Sequence, residues 1–190
     1  MNSVVRLKFT VWLLLLGFSM GVDAQTADEN RVEVLQDTVV HSKTDIISFL
    51  AASKEHSIFL NLLKVSGVDE DFSSETILTL FAPTNAGFEK LPKGTLENLT
   101  LPENKYKLIN ILNYHILVGS ESSTAMSKII TKNRGKAKFQ AKSGGAITVF
   151  MKQGIFAIEG NRGKGILIEN PDKLQSNGIV HVVDSVLIPQ

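Results

Sequence analysis

Near its C-terminus the chain reads GIVHVVDSVLI over residues 178–188, and both alternating sets of that run are apolar. In an extended strand Ile179, Val183 and Leu187 fall on one side, and Val180, Val182, Val186 and Ile188 on the other. A half-solvated strand alternates apolar with polar residues; one that is apolar on both sides is covered on both faces. Any fold for this chain therefore needs packing layers above and below a sheet. His181 and Asp184 lie inside the run, so both are expected to be buried or nearly so, on opposite faces if the strand is regular.

The rest of the chain supplies those layers in sequence order. DIISFLAAS spaces Ile46, Ile47, Phe49 and Leu50 as a helix does, with Thr44 placed to cap it. SIFLNLLKVS predicts a second helix ended by Gly67. The acidic VDEDFSSE reads as a solvated loop. ILTLFAP is strand-forming and stops at Pro83, after which the Thr84 hydroxyl can cap a short helix, NAGFEKL, with Asn85 bonding backbone in the turn and Phe88 and Leu91 packing inward. PENKYKLINIL predicts a longer helix with Pro102 in its first turn, and Leu108, Ile111, Leu112 and His115 share one of its faces. From Lys138 onward short runs alternate with glycine-containing turns: KFQA, AITVFM, IFAIE, ILIE and the final run. That is a β-meander. Helices first and strands afterwards imply a segregated α+β domain, not alternating βαβ units.

The N-terminus stands apart. Arg6 and Lys8 precede an apolar core from Phe9 to Val22, and Val22-Asp23-Ala24 offers a cleavage site before Gln25. This is the pattern of a secretory signal peptide, 1–24, with a core too short to favour a membrane span. A polar, disordered leader is expected over 25–32 and the folded domain over 33–190. No second long apolar run follows, so the processed chain is expected to carry no transmembrane segment. Removing the signal leaves the protein near neutral, and the sequence contains no cysteine, so export without disulfides is implied. The expected location is extracellular, or the periplasm or cell surface in a bacterium.

Charge is unevenly spread. Residues 23–121 carry fifteen acids against eight bases, whereas 122–158 carry seven bases and no acid. The bases are Lys128, Lys132, Arg134, Lys136, Lys138, Lys142 and Lys152. One reading is a patch for polyanions, acidic polysaccharide above nucleic acid outside the cell. The other is a meander whose solvent-facing positions, and edge strands guarded against pairing, are lysine.

Motifs for catalysis are missing. There is no GxSxG elbow and no thiol; GNRGKG at 160–165 lacks phosphate-loop spacing and sits between strands, as a hairpin turn does. His41, His56, His115 and His181 form neither HxH nor HExxH, so neither a metal nor a cofactor is expected. Asn98-Leu99-Thr100 is an N-glycosylation sequon beside an expected turn.

Three segments, TLFAPTNAGFEKLP (79–92), NILNYHILVG (110–119) and SNGIVHVVDSVLIP (176–189), resemble in order and spacing the signatures of the fasciclin domain: its first box, its Tyr–His motif and its C-terminal box. The resemblance spans roughly residues 33–189. It implies an α+β fold in which a β-sheet wedge or sandwich packs against several helices, mainly N-terminal, with the meander C-terminal. It implies a secreted or surface-attached, non-enzymatic module of cell adhesion or extracellular matrix, with a surface protein or polysaccharide as partner. In animal members the Tyr–His motif and its aliphatic flanks are linked to integrin binding. Tyr114 and His115 match it here, flanked by Ile111, Leu112, Ile116 and Leu117, while RGD is absent. The alternative is a carrier or sensor with an apolar small-molecule pocket between sheet and helices. From position alone, His115 is expected to be hydrogen-bonded inside, pinning the helix end to the sheet. Tyr114, on the adjoining face, is expected to be the residue that touches a partner.

Overall fold

The computed structural model describes residues 43–73, 75–160 and 165–189. The expected signal peptide, leader and domain start, together with His41 and residues 161–164, where a hairpin turn is expected, lie outside the described residues.

Helix α1 (Ile46–Ala52) is capped by Asp45, whose carboxylate accepts the Ser48 N–H at 2.7 Å. The cap is thus one residue later than expected, because the Thr44 hydroxyl is turned away to donate to Gln175 Oε1 at 2.9 Å. Helix α2 (Ser57–Ser66) ends as expected at Gly67, whose φ of +82° suits a residue without a Cβ. The acidic segment that follows is not wholly solvated. It opens with a 3-10 turn over Val68–Asp71, and Val68 and Phe72 are buried in the helix-side core while the carboxylates face outward. Strand β1 (Leu78–Pro83) is buried throughout. Thr84 then caps α3 (Asn85–Glu89) by accepting the Gly87 N–H at 3.2 Å. Asn85 bonds farther afield than the turn, accepting the Ile58 N–H and donating to the Lys54 carbonyl. Helix α4 (Thr95–Leu99) and a 3-10 turn at Pro102–Asn104 lead into α5 (Lys105–Tyr114).

Three elements were not foreseen, α4 being the first. Strand β2 (Ile116–Val118) follows α5 directly, and α6 (Ser123–Lys132) begins at Ser122, whose hydroxyl accepts the Ala125 N–H. Helix α6 buries only Met126 and Ile130, one turn apart, too narrow an apolar stripe to announce itself among polar residues. The meander follows as β3 (Lys136–Gln140), β4 (Ala146–Lys152), β5 (Ile155–Glu159), β6 (Gly165–Gln175) and β7 (Gly178–Val183). The final run leaves the sheet at Val183, earlier than its composition suggests, because the chain turns toward α5.

The strands form one seven-stranded sheet in the order β2-β1-β7-β6-β5-β4-β3. It is mixed: β1 lies parallel to β7, from Leu78 opposite Gly178 to Pro83 opposite Val183, and the other pairs are antiparallel. A bridge between Leu117 and Ala141, with the Lys142 N–H donating to the Ile116 carbonyl at 2.8 Å, brings the two ends of the sheet together as a barrel-like wedge.

The strands β2, β1 and β7 form a wall between two cores. On one side Leu78, Leu80, Ala82, Ile116 and Val180 meet α1 to α5. On the other, Phe81, Leu117 and Val183 meet α6 and the inward residues of β3 to β6. The two-sided burial read from residues 178–188 is this wall.

Close approach within it requires glycine at 178. A Cβ there would overlap the Leu78 carbonyl, and φ is +149°. Gly178→Ala is expected to cost more than about 3 kcal/mol, or to prevent folding, by urea denaturation. Gly119→Ala, at φ +105° with open space around it, is expected to cost only about 1 kcal/mol.

Candidate functional site

The Tyr–His pair sits where α5 stops. The backbone N–H of His115 bonds Leu112, and its side chain takes the carbonyl one full turn back: Nδ1 lies 2.8 Å from the Ile111 oxygen. A carbonyl only accepts, so Nδ1 carries the proton. Nε2 then accepts the Leu187 N–H at 2.9 Å. The ring is fully buried and lies 5.3 Å, centroid to centroid, from Phe59 of α2. The His115 carbonyl accepts the Phe81 N–H. One residue thus ends α5, holds the C-terminal segment and joins β1. Burial pushes its pKa down to about 4, partly opposed by the Ile111 bond.

Tyr114 is not at the surface. Only 6% of it is exposed, its hydroxyl donates to the Ala146 carbonyl at 2.8 Å, and its ring packs on Gly145 so closely that a Cβ there would sit 2.8 Å from Cε2. Burial raises its pKa. The expectation that Tyr114 faces a partner is therefore corrected: α5 ends against the β3–β4 turn, and that turn covers the ring. Tyr114 holds the turn and His115 the C-terminus, in opposite directions. Among their flanks Ile111, Leu112, Ile116 and Leu117 are likewise buried.

The other two described histidines repeat the arrangement. His56 Nδ1–H donates to the Pro83 carbonyl at 3.0 Å. His181 carries its proton on Nε2, donating to the Glu121 carbonyl at 2.8 Å, and accepts the Asp172 N–H at Nδ1. Burial lowers the His181 pKa, opposed by the Glu121 bond and by the Asp172 charge. The Asp172 carboxylate in turn receives the Ser123 N–H and hydroxyl. Asp184, beyond the end of β7, accepts the Leu167 N–H and pairs with Lys90. Asn177 escaped sequence reasoning entirely: buried, it accepts the Ile46 N–H and donates to the Phe72 carbonyl, each at 2.9 Å. Its position just before Gly178, in the short turn between β6 and β7, was the local cue. Among the described residues no group of three or more histidines and carboxylates is placed to hold a metal.

The cations of 122–158 are exposed. Lys128 and Lys132 lie one turn apart on α6, Arg134 is in the turn after it, and Lys136 and Lys138 point outward from edge strand β3. Lys136 is engaged by Glu159 at 3.1 Å and Lys142 by Asp71 at 2.5 Å. Asn98 is exposed within α4, with its side chain receiving the Asn104 amide, beside the expected turn, which falls at Thr100. One cleft of about 420 Å³ opens at the surface beside Val118, Glu121 and Lys142, and another of about 330 Å³ opens between α2 and α4.

This fold is that of the fasciclin domain, and comparison with known proteins agrees. A family model described as the fasciclin domain matches residues 54–189. The chain is 31% identical over 186 residues to Protein sll1483 of Synechocystis, with 96% of both chains covered. It is 29% identical over 165 residues to human periostin, covering 87% of this chain but 18% of that protein. Among solved structures, the FAS1 domain pair of the insect cell adhesion molecule Fasciclin I shares the fold, with a TM-score of 0.69 at 21% identity, covering 77% of this chain and 51% of that one. The chain belongs to the fasciclin-domain family.

The His115 geometry sets the acid response. Above about pH 6.5 the ring is neutral folded and unfolded; between that and about 4 only the unfolded state binds the proton. Stability is therefore fully present at pH 7 and falls as pH drops through this window, by on the order of 3 kcal/mol from His115. Urea denaturation from pH 7 to pH 4.5 measures it, and His115→Gln is expected to reduce the dependence to the share left by His181 while losing about 1–3 kcal/mol at pH 7. Tyr114→Phe, leaving the Ala146 carbonyl short of a donor, is expected to cost about 1 kcal/mol by the same measurement.

Proposed function

We propose that this chain is a secreted, non-catalytic adhesion or extracellular-matrix module that binds a surface protein or an acidic polysaccharide. The observation that carries this reading is the division of its polar side chains between inside and outside. The three described histidines are turned inward and bonded to backbone groups of distant segments, so each imidazole holds the fold. The acid-free stretch, in contrast, presents its cations to solvent. Relatives in the same family support the reading: periostin, the transforming growth factor-beta-induced protein ig-h3 of pig, and a fasciclin-like arabinogalactan protein of Arabidopsis. No described helix is long and apolar enough to cross a membrane, and a processed chain starting at Gln25 fits this reading.

Within the cationic stretch the ion pairs decide which residues matter. Lys136 and Lys142 each face a carboxylate, whereas Lys128, Lys132, Arg134 and Lys138 have no ion pair among the described residues. A soluble acidic polysaccharide is expected to be retained with strong salt dependence, weakening as the screening length falls from about 10 Å at 0.1 M to about 3 Å at 1 M. Changing Lys128, Lys132 and Lys138 together to Glu is expected to abolish retention on an acidic-glycan array at physiological salt. Undiminished glycan binding by that variant would overturn the patch, and retention of a matrix protein by the same variant would assign binding to a protein partner elsewhere on the surface.

A further inference from the structure

The register of the sheet gathers one end of it into an amphiphilic tip. β4 runs toward the β4–β5 turn, and its Phe150 stands opposite Lys136, the first residue of β3. The link from α6 into β3, carrying Lys132 and Arg134, therefore arrives at the same end as the β4–β5 turn. That turn is tight: Lys152 pairs with Ile155, and Gln153 and Gly154 between them have φ of +51° and +82°. Two positive φ values in a two-residue loop define a rigid hairpin that continues the strand twist.

The tip projects apolar side chains where solvent would favour polar ones. Met151 is 41% exposed and Ile155 49% exposed, one on each face of the hairpin end, since Ile155 pairs with Lys152 and Met151 with Phe156. Behind them stand Lys132, Arg134 and Lys136, with Lys136 also 6.0 Å from the Phe150 ring. Carboxylates near this end are Glu159, which engages Lys136, and Glu169, exposed on β6. Four cations at a hairpin end that shows one aliphatic side chain on each face form a tip, entered end-on, matched to an interface that is negative outside and apolar within.

We infer that the β4–β5 tip docks on an anionic lipid surface, with Met151 and Ile155 entering the headgroup region and Lys132, Arg134, Lys136 and Lys152 meeting the phosphates. Lipid is favoured over a dissolved polyanion because a hydrated glycan offers nothing to two exposed aliphatic chains. A lipid interface removes them from water. This goes beyond the polysaccharide or protein partner proposed above and does not depend on it.

The test is co-sedimentation with vesicles. It uses the chain from Gln25 onward, which retains the whole fold described over residues 43–189 and omits the apolar Phe9–Val22 stretch. Vesicles of about one-third phosphatidylglycerol in phosphatidylcholine are expected to bind it, and pure phosphatidylcholine not. Arg134→Gln with Lys152→Gln is expected to lower partitioning roughly 30-fold. Met151→Ser with Ile155→Ser is expected to lower it about tenfold. All four side chains are exposed, so melting by circular dichroism is expected to be unchanged, separating docking from folding. Full vesicle binding by the Met151→Ser, Ile155→Ser variant would overturn the inference. So would binding to dextran sulfate with none to anionic vesicles, an outcome that leaves the polysaccharide reading standing.

Discussion

Parallel pairing of β1 with β7 is the arrangement around which the other elements are placed. Two parallel strands cannot be joined by a hairpin; they need a crossover, and here residues 84–177 make it. Nearly everything else in the domain is contained in that excursion: α3 to α6 and β2 to β6. Because the pair is buried on both faces, the crossover must deposit helices on one side and folded-back sheet on the other. Backbone proximity at Gly178 then follows from the register, since no side chain fits between β7 and the Leu78 carbonyl.

The wall is held by side chains that join backbone to backbone. An imidazole suits this task because its neutral form offers one donor and one acceptor on opposite sides of a rigid ring. His115 and His181 use opposite tautomers to do it, each dictated by whether the facing backbone group is a carbonyl or an amide. Asn177 achieves the same with its amide, linking the start of α1 to the segment after α2. The Tyr–His pair is therefore architectural: a loss of binding after substitution there is separated from misfolding only by measuring both.

Sequence patterning read the wall and the helix ends well because those rest on local rules. Gly67 and Thr84 do what isolated helix-end chemistry predicts, and residues 178–183 are buried on both faces as their doubled apolar pattern requires. Misplaced features were decided by distant partners. Thr44 lost its capping role to a bond with Gln175, and Tyr114 was drawn inward by the β3–β4 turn. The switch from α5 to β2 was hidden because His115 continues the helical apolar face and yet ends the helix with its own ring. Likewise a count of lysines carried no sign that Asp71 and Glu159 engage two of them.

The same long excursion has a consequence for the order in which this chain becomes a protein. Strand β7 follows all the other strands in chain order, and without it β1 lacks its parallel neighbour, β6 one of its two partners and His115 the segment that brings the Leu187 amide. The helices rest on local contacts, but the pairing that separates the two cores waits for β7, a high-contact-order closure of the slow kind. Until that strand is in place neither core has its dividing wall, so the two close together.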